Sequence, residues 1–315
     1  MNSLIGNTPM IKITYEYGGI IRSMYAKLEY YNYTGSIKDR IANYIITESY
    51  KEGSLKKDMP IVEATSGNTG ISFSALGRYY GHDVHIFMPD WVSSERINIM
   101  KLYGANVYLV SKEEGGFKEC IKRADELANK INGFRPNQFD NLKNIEAHYK
   151  TTGKEILNKL KNFSCFVSGI GTGGTIMGVG KCLKEYNENS KIIAIEPESL
   201  PILTKGKCVG SHKIEGIGDD FIPSIVDKSL IDSVFDISDV DAINMAKKLA
   251  STFGLGVGIS SGANFLGCVI SGFDNAVTVF TDDLKKYLST DLSKCMNEDK
   301  NLISNSIKLI SLEVV

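Results

Sequence analysis

The chain has 315 residues, of which 43% are hydrophobic and 23% charged, and its formal net charge at pH 7 is -1. This length favours two domains, and the composition is typical of a globular protein with a hydrophobic core. The near-neutral charge gives no reason to expect nucleic acid or an anionic membrane as a partner. No apolar run reaches membrane-spanning length, and residues 1–6 lack a basic segment followed by an apolar one, so we expect a cytoplasmic protein.

The cysteines and histidines predict neither a disulfide framework nor a metal site. Six cysteines stand singly, without CxxC spacing, and we interpret them as buried, inert thiols: Cys120, Cys165, Cys182, Cys208, Cys268 and Cys295. Among the four histidines, His82 and His85 lie in a strand-like segment, where residues three apart face opposite sides. We therefore expect no metal.

Strand-like and helix-like segments alternate along most of the chain. Strands are predicted at residues 61–64, 84–88, 106–110, 165–168, 191–195 and 276–281. Helices are predicted at residues 70–80, 94–103, 117–131, 176–186 and 240–253. This order predicts an α/β protein whose parallel sheets are covered by helices on both faces, in two sets that meet near residue 150. The apolar tail at residues 303–315 fits either an edge strand or an arm at a dimer interface.

Two glycine-rich segments lie at predicted strand-to-helix turns, where α/β proteins bind ligands. The segment 65–70 combines small residues and hydroxyl groups at a helix start, which suits a carboxylate, although a capped helix alone would also explain it. The segment 171–175, Gly-Thr-Gly-Gly-Thr, can bind a phosphate group through helix N-terminal N–H groups. Because Gly169, Gly171 and Gly174 satisfy GxGxxG and Glu196 ends the next strand, a dinucleotide site is a local alternative.

Two further segments are uninformative alone. Residues 258–263, Gly-Ile-Ser-Ser-Gly-Ala, open a predicted helix and could either cap it or contact a cofactor. Lys38 lies in the segment 33–40, Tyr-Thr-Gly-Ser-Ile-Lys-Asp-Arg, and by itself would be taken for a surface lysine.

All these segments together resemble the cysteine synthase/cystathionine β-synthase family. Segments matching that family in order and spacing are residues 6–9, 32–40, 65–70, 171–175, 216–218, 258–262 and 287–290. The likeness covers essentially the whole chain, and it removes the dinucleotide alternative. It implies an α/β protein of the tryptophan synthase β type (fold type II), with pyridoxal 5'-phosphate between a smaller domain at residues 40–148 and a larger one at residues 1–39 plus 149–315.

The resemblance also implies roles for individual residues. Lys38 matches the lysine that forms the Schiff base, and Asn68 matches the residue that hydrogen-bonds the pyridine 3′-oxygen. Ser260 matches the hydroxyl that faces the pyridine nitrogen, with Ser261 as the less favoured neighbour. The phosphate loop matches Gly171, Thr172, Gly173, Gly174 and Thr175. The substrate site matches Thr65, Ser66, Gly67, Thr69, Gln138 and Gly216.

The implied chemistry is β-replacement on a small amino acid. The substrate amine displaces Lys38, the lysine removes the α-proton, and loss of the β-substituent leaves an α-aminoacrylate to which a nucleophile adds. The family also suggests a homodimer.

The sequence departs from the family at two places. Tyr33 replaces the usual proline of the loop that carries Lys38. At the Gly-Ile-Gly turn, Asp219 and Asp220 follow where cysteine synthases have small residues; Asp220 is typical of cystathionine β-synthases, and Asp219 of neither. Either aspartate could accept a proton near the substrate β-carbon, or both could face solvent. Asp232, inside an apolar strand, is a weaker candidate.

The sequence therefore favours β-replacement on cysteine with release of hydrogen sulfide and addition of water, giving serine, or of a thiol. Three alternatives remain open: synthesis of cysteine from O-acetylserine and sulfide, β-elimination from serine or cysteine to pyruvate, and a non-catalytic binding protein of the same fold.

Overall fold

The computed structural model describes residue 1, residues 3–206 and residues 210–315. Its strands are β1 (Met10–Tyr17), β2 (Ile20–Leu28), β3 (Ile61–Ala64), β4 (Val84–Pro89), β5 (Asn106–Val110), β6 (Cys165–Gly169), β7 (Lys191–Pro197), β8 (Ser233–Ile237), β9 (Ala276–Phe280) and β10 (Lys308–Val314). Its α-helices are α1 (Lys38–Glu52), α2 (Asn68–Tyr79), α3 (Ser94–Leu102), α4 (Gly116–Ile131), α5 (Lys143–His148), α6 (Lys154–Lys159), α7 (Gly174–Tyr186), α8 (Ile202–Lys205), α9 (Asp239–Phe253), α10 (Ile259–Ser271) and α11 (Ile303–Ser306).

The strands form two separate sheets. The larger has the order β10-β1-β2-β9-β6-β7-β8, and the smaller has the order β3-β4-β5. The smaller sheet is parallel throughout, and the larger is parallel from β2 to β8. The predicted α/β class is therefore confirmed.

The parallel strands are almost continuously apolar and buried because helices cover both faces of the sheets. All residues of β3 and β9 are buried, and so are six of the seven residues of β7. Side chains from α9 and α10 pack on one face of the larger sheet, and side chains from α7 pack on the other. Such strands show no alternation of polar and apolar residues, which is typical of two-sided burial.

The sequence did not predict the N-terminal hairpin of β1 and β2, nor helix α1. These strands carry several polar residues, and the antiparallel edge of the larger sheet is made only when the chain's last strand pairs with the first. The apolar tail forms β10, so the edge-strand interpretation is correct within this chain. Its position at the end of the strand order depends on a partner almost 300 residues away in sequence.

The predicted domain division agrees with the distribution of the strands, and it stays a proposal. The three strands of the smaller sheet all fall within residues 40–148, and the larger sheet takes its strands from both flanking ranges.

The cysteine interpretation needs one correction. Cys120, Cys165, Cys182 and Cys268 are buried free thiols, but Cys295 is exposed because it lies in an irregular surface segment. Cys208 lies outside the described residues.

None of the helices among the described residues is long and apolar enough to cross a membrane. Within the same part of the chain, no group of three His, Cys, Asp or Glu side chains is arranged to hold a metal ion.

A buried cluster of ion pairs fixes the beginning of α1. Arg40 donates to both carboxylate oxygens of Glu29, at 2.6 and 3.0 Å, and to both of Glu155, at 2.7 and 2.8 Å. Lys27 lies 2.6 Å from Glu155, and its Nζ donates to the Thr8 carbonyl at 2.9 Å. Two cations thus face two anions, with hydrogen bonds to most remaining groups, which is the condition under which buried charges are tolerated. Lys38 lies two residues before Arg40, so these ion pairs also restrict its position.

We predict that removal of the Arg40 guanidinium strongly destabilises the fold. Arg40→Ala leaves the Glu29 carboxylate, which is 0% exposed, without its cation, so the free energy of unfolding should fall by about 3–5 kcal/mol. Urea denaturation followed by circular dichroism measures this loss. Lys51→Ala on the same helix removes an exposed pair with Glu48 and should change stability by no more than about 0.5 kcal/mol. Equal losses in the two variants would contradict the prediction.

Candidate active site

A cleft lies where the carboxyl ends of parallel strands from both sheets meet. Its walls come from the segments that follow β3, β6 and β9, together with the first turn of α1 and the 216–219 segment. Carboxyl ends of parallel strands are where α/β proteins place ligand sites. The cleft brings together the sequence-predicted residues Lys38, Thr65, Ser66, Gly67, Asn68, Thr69, Gln138, Gly171, Thr172, Gly173, Thr175, Gly216, Asp219 and Ser260.

Lys38 is the first residue of α1 and its side chain lines the cleft. Loss of hydration on burial lowers the pKa of its amine, and the carboxylates of Asp219 and Asp282 act in the opposite direction. A lowered pKa increases the fraction of neutral amine, which is the form that attacks carbonyl groups and accepts protons. The loop before Lys38 accommodates the unusual Tyr33 because the side chain of Tyr33 is exposed.

The glycine segment after β6 leads directly into α7, which begins at Gly174. The backbone comes close to its neighbours here: a Cβ on Gly171 would lie 2.4 Å from the Gly216 carbonyl oxygen, and one on Gly174 would overlap Asn144. Gly173 has a φ of 87°, which favours glycine. Helix N-terminal N–H groups and the hydroxyls of Thr172 and Thr175 therefore face a space that suits a phosphate group.

Asn68 begins α2 and faces the same cleft from the other sheet. Its Nδ2 donates to Asp282 Oδ2 at 2.7 Å, and the Tyr287 hydroxyl donates to the same oxygen at 2.9 Å. The Asn68 Oδ1 atom is buried without a hydrogen-bond partner among the described residues. Asp282 thus fixes the orientation of an amide whose remaining polar groups are available to a ligand.

Ser260 lies near the start of α10 and is 4% exposed. Its hydroxyl is 2.7 Å from the Thr281 hydroxyl, and both line the cleft. Ser261 instead accepts the Thr281 backbone N–H at 3.0 Å and does not line the cleft. The geometry therefore favours Ser260 over its neighbour.

The predicted carboxylate-binding segment forms one side of the cleft. Thr69 donates through Oγ1 to Gln138 Oε1 at 2.6 Å, and Gln138 Nε2 donates to the Ala64 carbonyl at 3.1 Å. The Gly67 N–H donates to Thr65 Oγ1 at 3.0 Å. A Cβ on Gly67 would lie 2.4 Å from Arg96, so only glycine fits beside this buried arginine.

The structure separates the three candidate aspartates. Asp219 lines the cleft, and burial followed by the neighbouring Asp220 raises the pKa of its carboxyl to about 6, against the effect of Lys38. Asp220 lies 3.2 Å from Lys118 Nζ with its side chain 40% exposed. Asp232 is outside the cleft, where it accepts the Ile192 N–H and pairs with Lys184 at 2.9 Å.

The contacts of Glu196 also argue against a dinucleotide site. The Glu196 carboxylate accepts the backbone N–H groups of Leu203 and Thr204, at 2.7 and 3.0 Å, and the Thr204 hydroxyl. It holds the first turn of α8 and is not available to a ribose.

Several residues that line or support the cleft were not singled out from the sequence. Arg96 pairs with Glu215 and lies over the ring of Tyr287, with its guanidinium carbon 4.5 Å from the ring centroid. His148 lies 3.3 Å from Thr175 Oγ1, and burial lowers its pKa well below the ordinary histidine value, so it is neutral. The chain leaves α5 here through a π-helical turn, Tyr149–Gly153. No local motif marks these residues, since each comes from a different segment.

The residues of the cleft fit pyridoxal phosphate. The glycine loop at the start of α7 suits its phosphate group, and Lys38 supplies the amine. Asn68, which keeps an unpaired buried oxygen and a fixed amide, and the Ser260 hydroxyl suit its ring substituents. This set combines an anion site, an amine of lowered pKa and neutral polar groups in one cleft.

Comparison with known proteins agrees with this geometry. Residues 1–282 match the family described as "Pyridoxal-phosphate dependent enzyme". Cysteine synthase B of Campylobacter jejuni is 44% identical over 298 residues, which cover 93% of this chain and 97% of that protein. A cysteine synthase of Staphylococcus aureus is 39% identical over 299 residues, covering 93% of this chain and 96% of that protein.

Among solved structures, a hydrogen sulfide-producing enzyme from Fusobacterium nucleatum superimposes with a TM-score of 0.96 at 48% identity, covering 100% of this chain and 97% of that one. An aspartate-to-asparagine variant of a hydrogen sulfide-producing enzyme, in complex with an α-aminoacrylate intermediate, superimposes with a TM-score of 0.97 at 47% identity and the same coverage. The expected tryptophan synthase β type of fold and the expected cofactor are thereby confirmed. The chain belongs to the pyridoxal-phosphate-dependent enzymes, in the group that contains the cysteine synthases and cystathionine β-synthases.

Proposed function

We propose that this enzyme carries out β-replacement on L-cysteine, releasing hydrogen sulfide and adding water, which gives L-serine, or a thiol. The observation that carries the proposal is Asp219, a carboxyl group inside the cleft beside Lys38. Similarity to hydrogen sulfide-producing enzymes along the full chain supports it.

Lys38 is the base in this proposal. When bound, pyridoxal phosphate supplies the electron sink that stabilises negative charge at the substrate's α-carbon. The Lys38 amine then takes the α-proton, and later returns it to the same carbon. Its lowered pKa makes it available in the neutral form, and Asp219 and Asp282 stabilise the cation that it becomes.

The amino acid is held through its carboxylate. Hydroxyls of Thr65, Ser66 and Thr69, the Gln138 amide and the start of α2 line one wall of the cleft. Helix N-terminal N–H groups and neutral donors bind a carboxylate without adding a competing charge. This wall would place the α-carbon towards Lys38 and the β-carbon towards Asp219.

Asp219 then acts on the incoming nucleophile. With a pKa of about 6 its carboxyl group is ionised at neutral pH, yet it is basic enough to accept a proton from water or a thiol as the new bond to the β-carbon forms. A negative charge at this position repels the hydrosulfide anion and does not repel water or a neutral thiol. The acid therefore favours release of sulfide over its incorporation.

Synthesis of cysteine from O-acetylserine and sulfide is the second candidate. The curated relatives that share 39–44% of the sequence are named cysteine synthases, which favours it. Elimination to pyruvate is the third candidate, and it would follow if no nucleophile added to the β-carbon.

We predict that the wild-type enzyme forms serine and sulfide from cysteine, and that Asp219→Asn lowers the rate by roughly 10²–10⁴-fold, as expected for loss of a general base. Product analysis by mass spectrometry, with a sulfide assay, measures both. The reaction needs ionised Asp219, so its rate should rise with pH through about pH 6. Faster turnover of O-acetylserine with sulfide, by a wide margin, would exclude the proposal, and pyruvate as the main product would favour elimination.

Two matched aspartate variants separate the roles. Asp220→Asn removes a neighbouring negative charge that raises the pKa of Asp219, so the acidic limb of the pH profile should move to lower pH while most activity remains. Asp232→Asn alters an ion pair outside the cleft and should leave the profile in place. If Asp220→Asn abolished the reaction and Asp219→Asn did not, the assignment would be reversed.

We also predict that Ser260→Asp increases side reactions. A neutral hydroxyl cannot hold a proton on the pyridine nitrogen, whereas a carboxylate can, and a fully protonated ring is a stronger electron sink. The ratio of transamination and pyruvate products to serine should therefore increase in the variant, as measured by chromatography. Ser261→Asp is not a suitable control, because that hydroxyl supports the Thr281 backbone; Ser260→Thr, which keeps the hydroxyl, is. An unchanged product ratio would count against this role.

The family resemblance leads us to propose a homodimer located in the cytoplasm. Light scattering on the purified holoenzyme should give about twice the chain mass of 34.6 kDa. A monomeric mass would contradict the dimer.

A further inference from the structure

The turn at residues 216–223 covers the cleft on the side where Asp219 lies. Its inner part is attached to the larger sheet region: the Gly218 N–H donates to the Ile170 carbonyl at 2.8 Å, and the Gly218 carbonyl lies 2.6 Å from His212 Nε2. Gly216 and Gly218 have φ values of 96° and 74°, so the chain reverses sharply here. Asp219 lines the cleft, and the residues that follow lie beyond it.

Phe221, in the outer part of this turn, contacts two phenylalanines on the other side of the cleft, Phe117 and Phe139. We call these three residues the aromatic cluster. Phe117 and Phe221 are parallel within 8°, with ring centroids 6.5 Å apart. Phe139 meets both rings edge-on, at 5.0 Å from Phe221 and 5.6 Å from Phe117. Phe117 belongs to α4, which packs on the smaller sheet, so the cluster joins the two sheet regions across the cleft.

Two polar contacts lie beside the aromatic cluster. Lys118, next to Phe117 on α4, pairs with Asp220 at 3.2 Å, next to Phe221 on the turn. Ser224 donates to Asp140 at 2.5 Å, and these residues flank the turn and Phe139 respectively. The Lys118–Asp220 pair is exposed and stabilises the contact only weakly, so the rings carry most of the interaction.

We propose that Phe221 is a positioning residue, which holds the 216–223 turn against α4 through the aromatic cluster and thereby keeps Asp219 inside the cleft and away from bulk water. The proposal rests on the function proposed above for Asp219. In this proposal Phe221, and more weakly Asp220, limit the access of water to Asp219, while Asp219 itself contacts the substrate.

Several charged groups, as well as its hydration, affect the pKa of Asp219. Lys38 faces it from α1, Asp220 adjoins it on the turn, and Lys118 on α4 offsets the charge of Asp220. The wider cleft on this side also contains Arg96, Lys112, His212, Lys213, Glu215 and Asp291. Burial is the largest of the causes that raise the pKa of Asp219, so a turn that separates from α4 should lower that pKa towards the ordinary aspartate value of 3.8.

The first experiment measures the turn itself and needs no substrate. Hydrogen–deuterium exchange of the holoenzyme reports the backbone amides of residues 214–223. Phe221→Ala loses two ring contacts, so exchange in this segment should become roughly tenfold faster or more. Phe253→Ala, which truncates a half-buried ring at the end of α9, should leave the segment unchanged. Unchanged exchange in Phe221→Ala would overturn the proposal.

Two surface variants repeat this test without altering the ring contacts. Lys118→Met should accelerate exchange in the segment about two- to fivefold, because an exposed ion pair is worth little. Lys130→Met is its control on the same helix, because Lys130 is exposed in the last turn of α4 and lies about three helical turns from Lys118. An equal effect of the two lysine variants would show that the Asp220 contact does not hold the turn.

The second experiment measures the pH profile of sulfide release from cysteine. In Phe221→Ala the acidic limb should move from about pH 6 to lower pH by at least half a unit, because Asp219 becomes hydrated, and Phe221→Leu should restore most of the original profile. A purely structural role would lower the rate equally at every pH, and that result would overturn the proposal. If the wild-type enzyme releases no sulfide from cysteine, the proposed function fails, and the exchange experiment still decides whether the aromatic cluster holds the turn.

Discussion

The chemistry proposed for this protein depends on an amine that faces carboxylates inside the cleft between the two sheets. Lys38 loses hydration at the first turn of α1, and Asp219 and Asp282 approach it from two other segments. Desolvation lowers the amine's pKa, and the two carboxylates act in the opposite direction. An amine that forms an imine and later carries a proton must be able to exist in both its neutral and its protonated form.

The buried ion cluster behind α1 gives this arrangement its rigidity. Arg40 is two residues after Lys38 and is fixed by Glu29 and Glu155, so the first turn of the helix has little freedom to move. The same cluster explains two of the segments that resemble the family. Thr8 donates to Glu29 at 2.7 Å, and Asn32 bonds both the Glu29 carboxylate and the Gly6 N–H. These motifs stabilise the position of Lys38 without lying in the cleft.

The two sheets contribute different parts of the site. The larger sheet carries the phosphate loop and Ser260, and the smaller sheet carries Asn68 and the carboxylate-binding wall. Contacts that cross between them include Asn68 with Asp282, Arg96 with Glu215 and Tyr287, and the aromatic cluster.

The sequence by itself determined the α/β class, the parallel core strands and the glycine loops, because these depend on local patterns: apolar runs, helix starts and small residues at turns. The joint order of the motifs also identified the family, and it predicted the role of Lys38. It did not predict β1, β2 or α1, whose place depends on pairing with distant segments. Nor could it choose between Asp219 and Asp220, although it ranked Asp232 below both. The tertiary structure separates the three by their surroundings, since it places Asp219 in the cleft, Asp220 against Lys118 and Asp232 beside two lysines outside the cleft. The contacts of Asp282, Arg96, His148 and the aromatic cluster likewise arise only when separate segments fold against each other, and hydration and charge at a site follow from that packing.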